Sequence, residues 1–95
     1  MSATFALIYA NDQNKTNMHY SQITVLNKTT GSPINGVRVA LSISGVFSGG
    51  VTPNTYTNRQ GIAEIQHEST GSAKVMVRGT TRTTIQAPGQ TTVYI

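Results

Sequence analysis

Residues 37–44 read VRVALSIS, and this stretch decides the fold because its side chains alternate along the chain. Residues of one parity are large and apolar, while those of the other parity are Arg, Ala, Ser and Ser. The apolar set is Val37, Val39, Leu41 and Ile43. A period of two places alternate side chains on opposite faces of a β-strand, so one face of this strand is expected to be buried.

The composition of the whole chain favours strands as well. Val, Ile and Thr together number 31 of 95 residues whereas Leu numbers three, and residues branched at Cβ prefer strands to helices. A chain of this length is also too short for two units that each bury a core. We therefore expect one all-β domain over residues 1–95, and an all-helical protein is excluded.

Glycine, proline and asparagine divide the chain into short β-rich runs about ten residues apart, which is typical of a β-sandwich. The polar residues 11–17 are expected to form a loop, and the glycine-rich residues 45–53 a mobile loop without a continuous strand. The expected architecture is a seven-stranded antiparallel Greek-key sandwich. The expected β-runs are 4–10, 20–27, 37–44, 54–57, 62–68, 73–78, 82–86 and 91–95.

Residues 69–72 predict a turn between two amphipathic strands that form a hairpin. Because Ile65 must share the buried face with Val75 or Val77, parity allows two pairings of these strands. One pairing sets opposite charges across the strands, which contributes roughly 0.2–1 kcal/mol per pair, and the other sets Glu64 opposite Met76. We expect the first pairing, with Glu68 opposite Lys74 and Glu64 opposite Arg78.

A second hairpin is predicted at the end of the chain, between residues 82–86 and 91–95. The connecting residues are Ala-Pro-Gly-Gln. Pro88 followed by Gly89 suits the two central positions of a type II turn, which needs a positive φ at the second of them.

The string ITVLNKTTGSPINGVRVALSI, followed after a variable loop by TYTNRQGIAEI, resembles a known family pattern. The pattern is a strand, xxTGxPIxGVxVxL, a loop, TxxxG and a strand. It is shared by carboxypeptidase-regulatory-like domains, invasin-type bacterial Ig-like repeats, collagen-adhesin B-type repeats and transthyretin-like proteins. The closing GSAKVMVRG and TIQAPGQTTVYI are similar to the last strands of the carboxypeptidase-regulatory-like members. The resemblance implies an Ig-like or prealbumin-like sandwich and little about function.

Two chemically active groups within these families need residues that this chain lacks. Collagen-adhesin repeats form an amide cross-link from an inward Lys on the first motif strand, where this chain has Ile23 and Val25. Transthyretin-like hydroxyisourate hydrolases carry a catalytic His at the position of Thr24 and end in Tyr-Arg-Gly-Ser, whereas this chain ends in Thr-Val-Tyr-Ile. We therefore expect no enzymatic activity, no catalytic residue and no cofactor.

Neither a metal site nor nucleic-acid binding is expected. His67 lies on the opposite face of its strand from Glu64 and Glu68, so these three side chains do not converge on a metal ion. The net charge of +4 comes from basic residues that are scattered, with no aromatic platform beside them. The chain has no cysteine, which excludes disulfides and thiolate zinc sites.

Membrane insertion is not expected either, because the longest apolar run near the start, residues 5–10, is too short for a span or a signal-peptide core. We expect an extracellular, cell-surface or virion location if this chain is part of a larger or processed polypeptide.

The function expected from these features is that of a structural, spacer or adhesion module of a bacterial surface or phage protein. A first alternative is a module that binds a glycan or peptide through the loop end at residues 45–53. Phe47 would be its aromatic anchor, with Asn11 and Asn54 as further partner contacts. A second alternative is a self-assembling subunit, in which the apolar residues 4–10 pair between copies.

Overall fold

The computed structural model describes residues 18–44 and 50–95, and the regular elements in them are all β-strands. The expected strand 4–10 and loop 11–17 lie outside the described residues. Within the described ranges there is no helix, so the all-β prediction is confirmed. The strands are β1 His19–Leu26, β2 Arg38–Ile43, β3 Gly50–Val51, β4 Thr55–Tyr56, β5 Ile62–His67, β6 Gly71–Val77, β7 Thr80–Ala87 and β8 Gln90–Tyr94.

These strands form two sheets. The first sheet has the order β5-β1-β8, and the second has the order β3-β2-β6-β7 with β4 also paired to β2. The pairs described are antiparallel except β1 and β8, which run parallel with Gln22 opposite Gln90 and Leu26 opposite Tyr94. The expectation of a wholly antiparallel sandwich is therefore wrong at this pair.

One apolar core lies between the sheets and draws on both of them. The alternation predicted for residues 37–44 is confirmed, since the four apolar residues of that stretch are at most 4% exposed. Removing a side chain of this size from water contributes roughly 1.5–3 kcal/mol. The remaining core members come from β1, β5, β6 and β8, together with Ala87 at the end of β7.

The hairpin predicted around residues 69–72 is wrong, because β5 and β6 lie in different sheets. β5 pairs with β1 and places Glu64 opposite Gln22, while β6 pairs with β2 and β7 and places Lys74 opposite Ser42. The parity of both strands was correct, since Ile65, Val75 and Val77 are buried. Facing sheets bury both apolar faces against each other, and this outweighs the small energy of cross-strand charge pairs.

The hairpin predicted at the end of the chain is also wrong. β7 pairs with β6 across Arg78 and Gly79, which both have positive φ, at 54° and 79°, as a type I′ turn requires. β8 instead crosses to the other sheet and pairs with β1. In this connection Gly89 does not have the positive φ that a type II turn requires, so that turn is not formed. The Ala87–Pro88 peptide bond is cis.

The glycine-rich region ends in a short strand, and a turn follows β4. Residues 45–49 lie outside the described part. Gly50 and Val51 form a two-residue strand opposite Ile43 and Ser42, within the stretch that was expected to be a loop without a continuous strand. Residues 58–61, between the expected β-runs 54–57 and 62–68, form a turn. Asn58 Oδ1 accepts hydrogen bonds from the backbone N–H of residues 60 and 62, at 2.9 and 3.0 Å.

Candidate functional site

A buried hydrogen-bond cluster lies where β1, β5 and the β7–β8 connection meet. Ser21 Oγ is 2.7 Å from His67 Nε2, and it accepts a hydrogen bond from the Gly89 backbone N–H at 3.2 Å. His67 Nδ1 is 2.8 Å from the carbonyl oxygen of Ser69. Ser21 and His67 are only 1% and 6% exposed, so their polar groups have almost no contact with water.

The partners fix where the protons lie in the neutral cluster. A carbonyl oxygen can only accept a hydrogen bond. His67 Nδ1 therefore carries a proton and donates a hydrogen bond to the carbonyl oxygen of Ser69. Nε2 is then an acceptor, and the Ser21 hydroxyl donates to it. In this arrangement the Ser21 oxygen, its proton and both ring nitrogens are all used within the protein.

A serine hydroxyl hydrogen-bonded to a histidine is the pair that activates a nucleophile in many hydrolases. Two features of this pair oppose that role. The group behind His67 is a neutral backbone carbonyl of Ser69 rather than a carboxylate, and the Ser21 oxygen is buried although a depression of about 270 Å³ borders that residue. The cluster is suited to joining three chain segments, with every buried polar group satisfied.

Replacing Ser21 by alanine is expected to lower the free energy of unfolding by about 1–3 kcal/mol, because His67 Nε2 and the Gly89 N–H both lose a buried partner. Urea denaturation followed by circular dichroism measures this change. Ser72→Ala, at an exposed position of β6, is the matched control and should stay within about 0.5 kcal/mol of the unmodified chain. Equal stabilities for Ser21→Ala and the control would show that the cluster does not stabilise the fold.

A groove of about 630 Å³ lies between the β3–β4 segment and β5, and His67 and Ser69 of the buried cluster belong to its lining. The β3–β4 segment contributes Val51, Pro53 and Thr55, and β5 contributes Glu64 and Gln66. Apolar groups next to a carboxylate and an amide are suited to an extended ligand with hydrogen-bonding groups, such as a peptide or a glycan.

The residues expected to contact a partner are only partly covered by the described chain. Asn54 is exposed between β3 and β4, next to two residues that line the groove, but it does not itself line it. Phe47 and Asn11 lie outside the described residues. The described part of the chain therefore does not show these three residues together, and their joint role in binding a partner stays a prediction.

Sequence reasoning missed Ser21, although the pattern contained a signal for it. Ser21 has the same parity as Ile23 and Val25, so it had to face the core. His67 has the same parity as Ile65 on β5, and it is buried as well. Because a buried hydroxyl needs a partner, two inward polar residues should have been expected to meet.

The described residues contain no group of three or more His, Cys, Asp or Glu that could hold a metal ion. Glu64 and Glu68 are exposed while His67 is buried, which confirms the predicted placement on opposite faces. Over the same residues, no helix has the length and apolar character needed to cross a bilayer.

No family model matches the chain, and neither a curated protein nor a solved structure does. Inferences about function therefore depend on the geometry of this chain itself.

Proposed function

We propose that this chain is a non-enzymatic β-sandwich module that bears mechanical load, as a spacer or adhesion domain of a bacterial surface or phage protein. It would lie on the cell surface or virion, as part of a larger or processed chain. The observation that supports this most directly is the parallel pairing of β1 with β8, which are the first and last strands of the described chain.

Parallel pairing determines how a pulling force reaches the hydrogen bonds. The start of β1 and the end of β8 lie at opposite ends of the shared ladder, so tension between them acts along the strands. The bonds are then stretched together rather than opened one after another. Backbone bonds from Gln22 to Gly89, at 3.0 Å, and between Ile95 and Leu26, at 2.9 Å, lie at the two ends of this ladder.

The order of the strands supports a finer proposal for the fold. In immunoglobulin constant-type domains the first strand pairs with the second in one sheet. Among the described strands, the first two, β1 and β2, lie in different sheets, and β1 lies between β5 and β8. Together with the resemblance of residues 23–95, this order favours a prealbumin-like sandwich over an Ig-like one.

Single-molecule force spectroscopy on two double-cysteine variants tests the mechanical role, because the chain has no cysteine of its own. Tyr20→Cys with Tyr94→Cys loads the β1–β8 ladder along its length. Tyr20→Cys with Gln90→Cys applies the load at one end of the ladder and peels the strands apart. All three positions are exposed, so the substitutions are expected to leave the core intact.

The first variant is expected to unfold at a severalfold higher force than the second, because several hydrogen bonds must break at once. Denaturation with urea should give similar stabilities for the two variants and so separate mechanical from thermodynamic resistance. Similar unfolding forces in both pulling directions would contradict a load-bearing role.

A second function, recognition of a peptide or glycan, is supported by the groove between the β3–β4 segment and β5. Its carboxylates at Glu64 and Glu68 favour a peptide with a basic side chain. Titration of the chain with a short lysine-containing peptide, followed by amide shifts at Thr55 and Gln66, tests this function. Glu64→Gln is expected to weaken the effect, and unchanged shifts throughout the titration would reject this ligand.

A further inference from the structure

The fold gathers basic residues that are far apart in the sequence at one end of the second sheet. Arg38 begins β2, Arg78 directly follows β6, and Arg82 lies near the start of β7. Because β6 lies between β2 and β7, the three arginines lie within two strand spacings, about 10 Å, across the sheet. All three side chains are exposed.

Two contacts bring Arg38 to the turn between β6 and β7. The Arg78 backbone N–H donates a hydrogen bond to the carbonyl oxygen of Arg38 at 2.9 Å. The guanidinium group of Arg38 lies against Gly79, since a Cβ added to that glycine would be 3.1 Å from Arg38 Nη2. The charged end of Arg38 therefore lies beside the hairpin that carries the other two arginines.

Arg82 occupies a β-bulge in β7. Thr83 lies opposite Val75 of β6, and Thr81 lies opposite Met76. Arg82 is therefore the extra residue between them. Bulges change the direction of a side chain and are common next to functional sites.

The outer face of the second sheet adds groups that suit a sugar. Tyr56 lies opposite Arg38, so both side chains are on the same face of the sheet, and Tyr56 is 61% exposed. Its ring offers an apolar surface on which a sugar ring can pack. On the same sheet, Lys74 lies between Ser42 and Thr84, whose hydroxyl groups both donate and accept hydrogen bonds.

Charge is divided unequally between the two sheets. The described strands of the second sheet contain three basic residues and no Asp or Glu. The two acids among the described residues are Glu64, on β5 of the first sheet, and Glu68, directly after that strand. An anionic ligand is therefore attracted to the second sheet rather than to the first.

We infer that the surface formed by Arg38, Tyr56, Arg78 and Arg82, here called the basic face, binds an acidic polysaccharide. Guanidinium groups bind carboxylate and similar anionic groups of such a chain through paired hydrogen bonds, while Tyr56 packs on its sugar rings. None of these four residues lines the groove between the β3–β4 segment and β5. The inference thus adds a separate binding surface to the proposed adhesion module and does not depend on its load-bearing role.

The basic face favours a polysaccharide over two other occupants. A second copy of the chain is disfavoured, because copies that each have a net charge of +4 repel one another. Single-stranded nucleic acid is bound by successive aromatic platforms, whereas the described strands of this sheet contain one aromatic residue, Tyr56.

Titration of the full chain with a short heparin oligosaccharide, followed by NMR amide shifts and calorimetry, tests this inference. Shifts are expected at Arg38, Tyr56, Arg78 and Arg82, while Gln66 in the groove stays unchanged. The affinity should fall severalfold as salt is raised, because exposed charges are screened. A neutral dextran oligosaccharide of the same length is the control ligand and should cause no shift.

Arg38→Gln and Arg82→Gln are each expected to weaken heparin binding by about two- to fivefold, because each removes one exposed ionic contact. Arg38→Lys keeps the charge but not the paired hydrogen bonds, so it should weaken binding by less than Arg38→Gln. Lys28→Gln is the matched control. It removes the same charge from an exposed turn after β1 and should leave the affinity nearly unchanged. Circular dichroism checks that each variant is folded.

Equal losses for Arg82→Gln and Lys28→Gln would overturn the inference, because net charge alone would then attract the polysaccharide. Tighter binding of an oligothymidylate of equal charge would assign the basic face to nucleic acid instead. Shifts at Gln66 in place of Arg38 would move the ligand to the groove and also contradict the inference. None of these results changes the force needed to unfold the β1–β8 ladder, so the two proposals fail separately.

Discussion

Replacing Gly61 by alanine is expected to lower the free energy of unfolding by about 3 kcal/mol or more. Gly61 has a φ of 76°, which a residue with a Cβ adopts only with strain. An added Cβ would lie 2.6 Å from the carbonyl oxygen of Val25 and 3.0 Å from Cβ of Pro33. Because Gly61 accepts a hydrogen bond from the Val25 N–H at 2.7 Å, the clash would also disturb the end of β1.

Gly36→Ala is the matched control for this prediction. Gly36 has the same φ of 76°, but an added Cβ there would meet no atom within 4 Å. Its substitution should cost about 1–2 kcal/mol, from backbone strain alone. Urea denaturation of both variants therefore separates the conformational cost from the close approach to Val25. Equal losses for the two glycines would show that the chain relaxes around an added methyl group at Gly61.

Replacing Leu41 by alanine is expected to cost about 2–5 kcal/mol. Leu41 is fully buried at the middle of β2, where it lies opposite Val75 of β6. Loss of its side chain removes apolar burial and leaves a cavity between two sheets whose backbones are fixed by their ladders. Thermal and urea unfolding both measure the loss.

Val51→Ala is the surface control for Leu41→Ala, since Val51 is 64% exposed on the short strand β3. It should change the stability by no more than about 0.5 kcal/mol. A loss below 1 kcal/mol for Leu41→Ala would contradict the assignment of Leu41 to the centre of the core.

Strand positions and buried faces were predictable from the sequence because they depend on local alternation. The parities of residues 37–44, 62–68 and 73–78 required only that alternate side chains face one way. The turn at residues 58–61 was predictable as well, since Asn and Gly supply its hydrogen bonds and its positive φ.

Strand partners were not predictable, because pairing depends on contacts between distant residues. The predicted pairing placed Glu64 opposite Arg78 because their charges are opposite. However, every strand pairing that keeps the same side chains on the inner face buries the same apolar residues, so burial does not identify the partner strand. The type I′ turn at Arg78 and Gly79 was missed because arginine rarely adopts a positive φ. Pro88 and Gly89 fit a type II turn locally, and the crossing of β8 to the other sheet replaced it.

The candidate sites also combine features that local alternation predicts with contacts that depend on strand pairing. The inward direction of Ser21 and His67 followed from alternation, but their contact required the pairing of β1 with β5, which charge considerations did not predict. The groove required the position of the β3–β4 segment next to β5. No local sequence pattern predicts either the contact of Ser21 with His67 or the position of the β3–β4 segment next to β5.

The position of β1 in its sheet has a consequence for how the chain folds during synthesis. Ser21 meets His67 and Gly89, which follow it by 46 and 68 residues, so the first of the described strands is completed only when the last one has been made. The sheet that contains β2, β6 and β7 can form while β1 still lacks β8. Folding should therefore be slow for a chain of this size, since such distant contacts close late. In tandem copies, the timing of synthesis would help each β1 to capture the β8 of its own repeat.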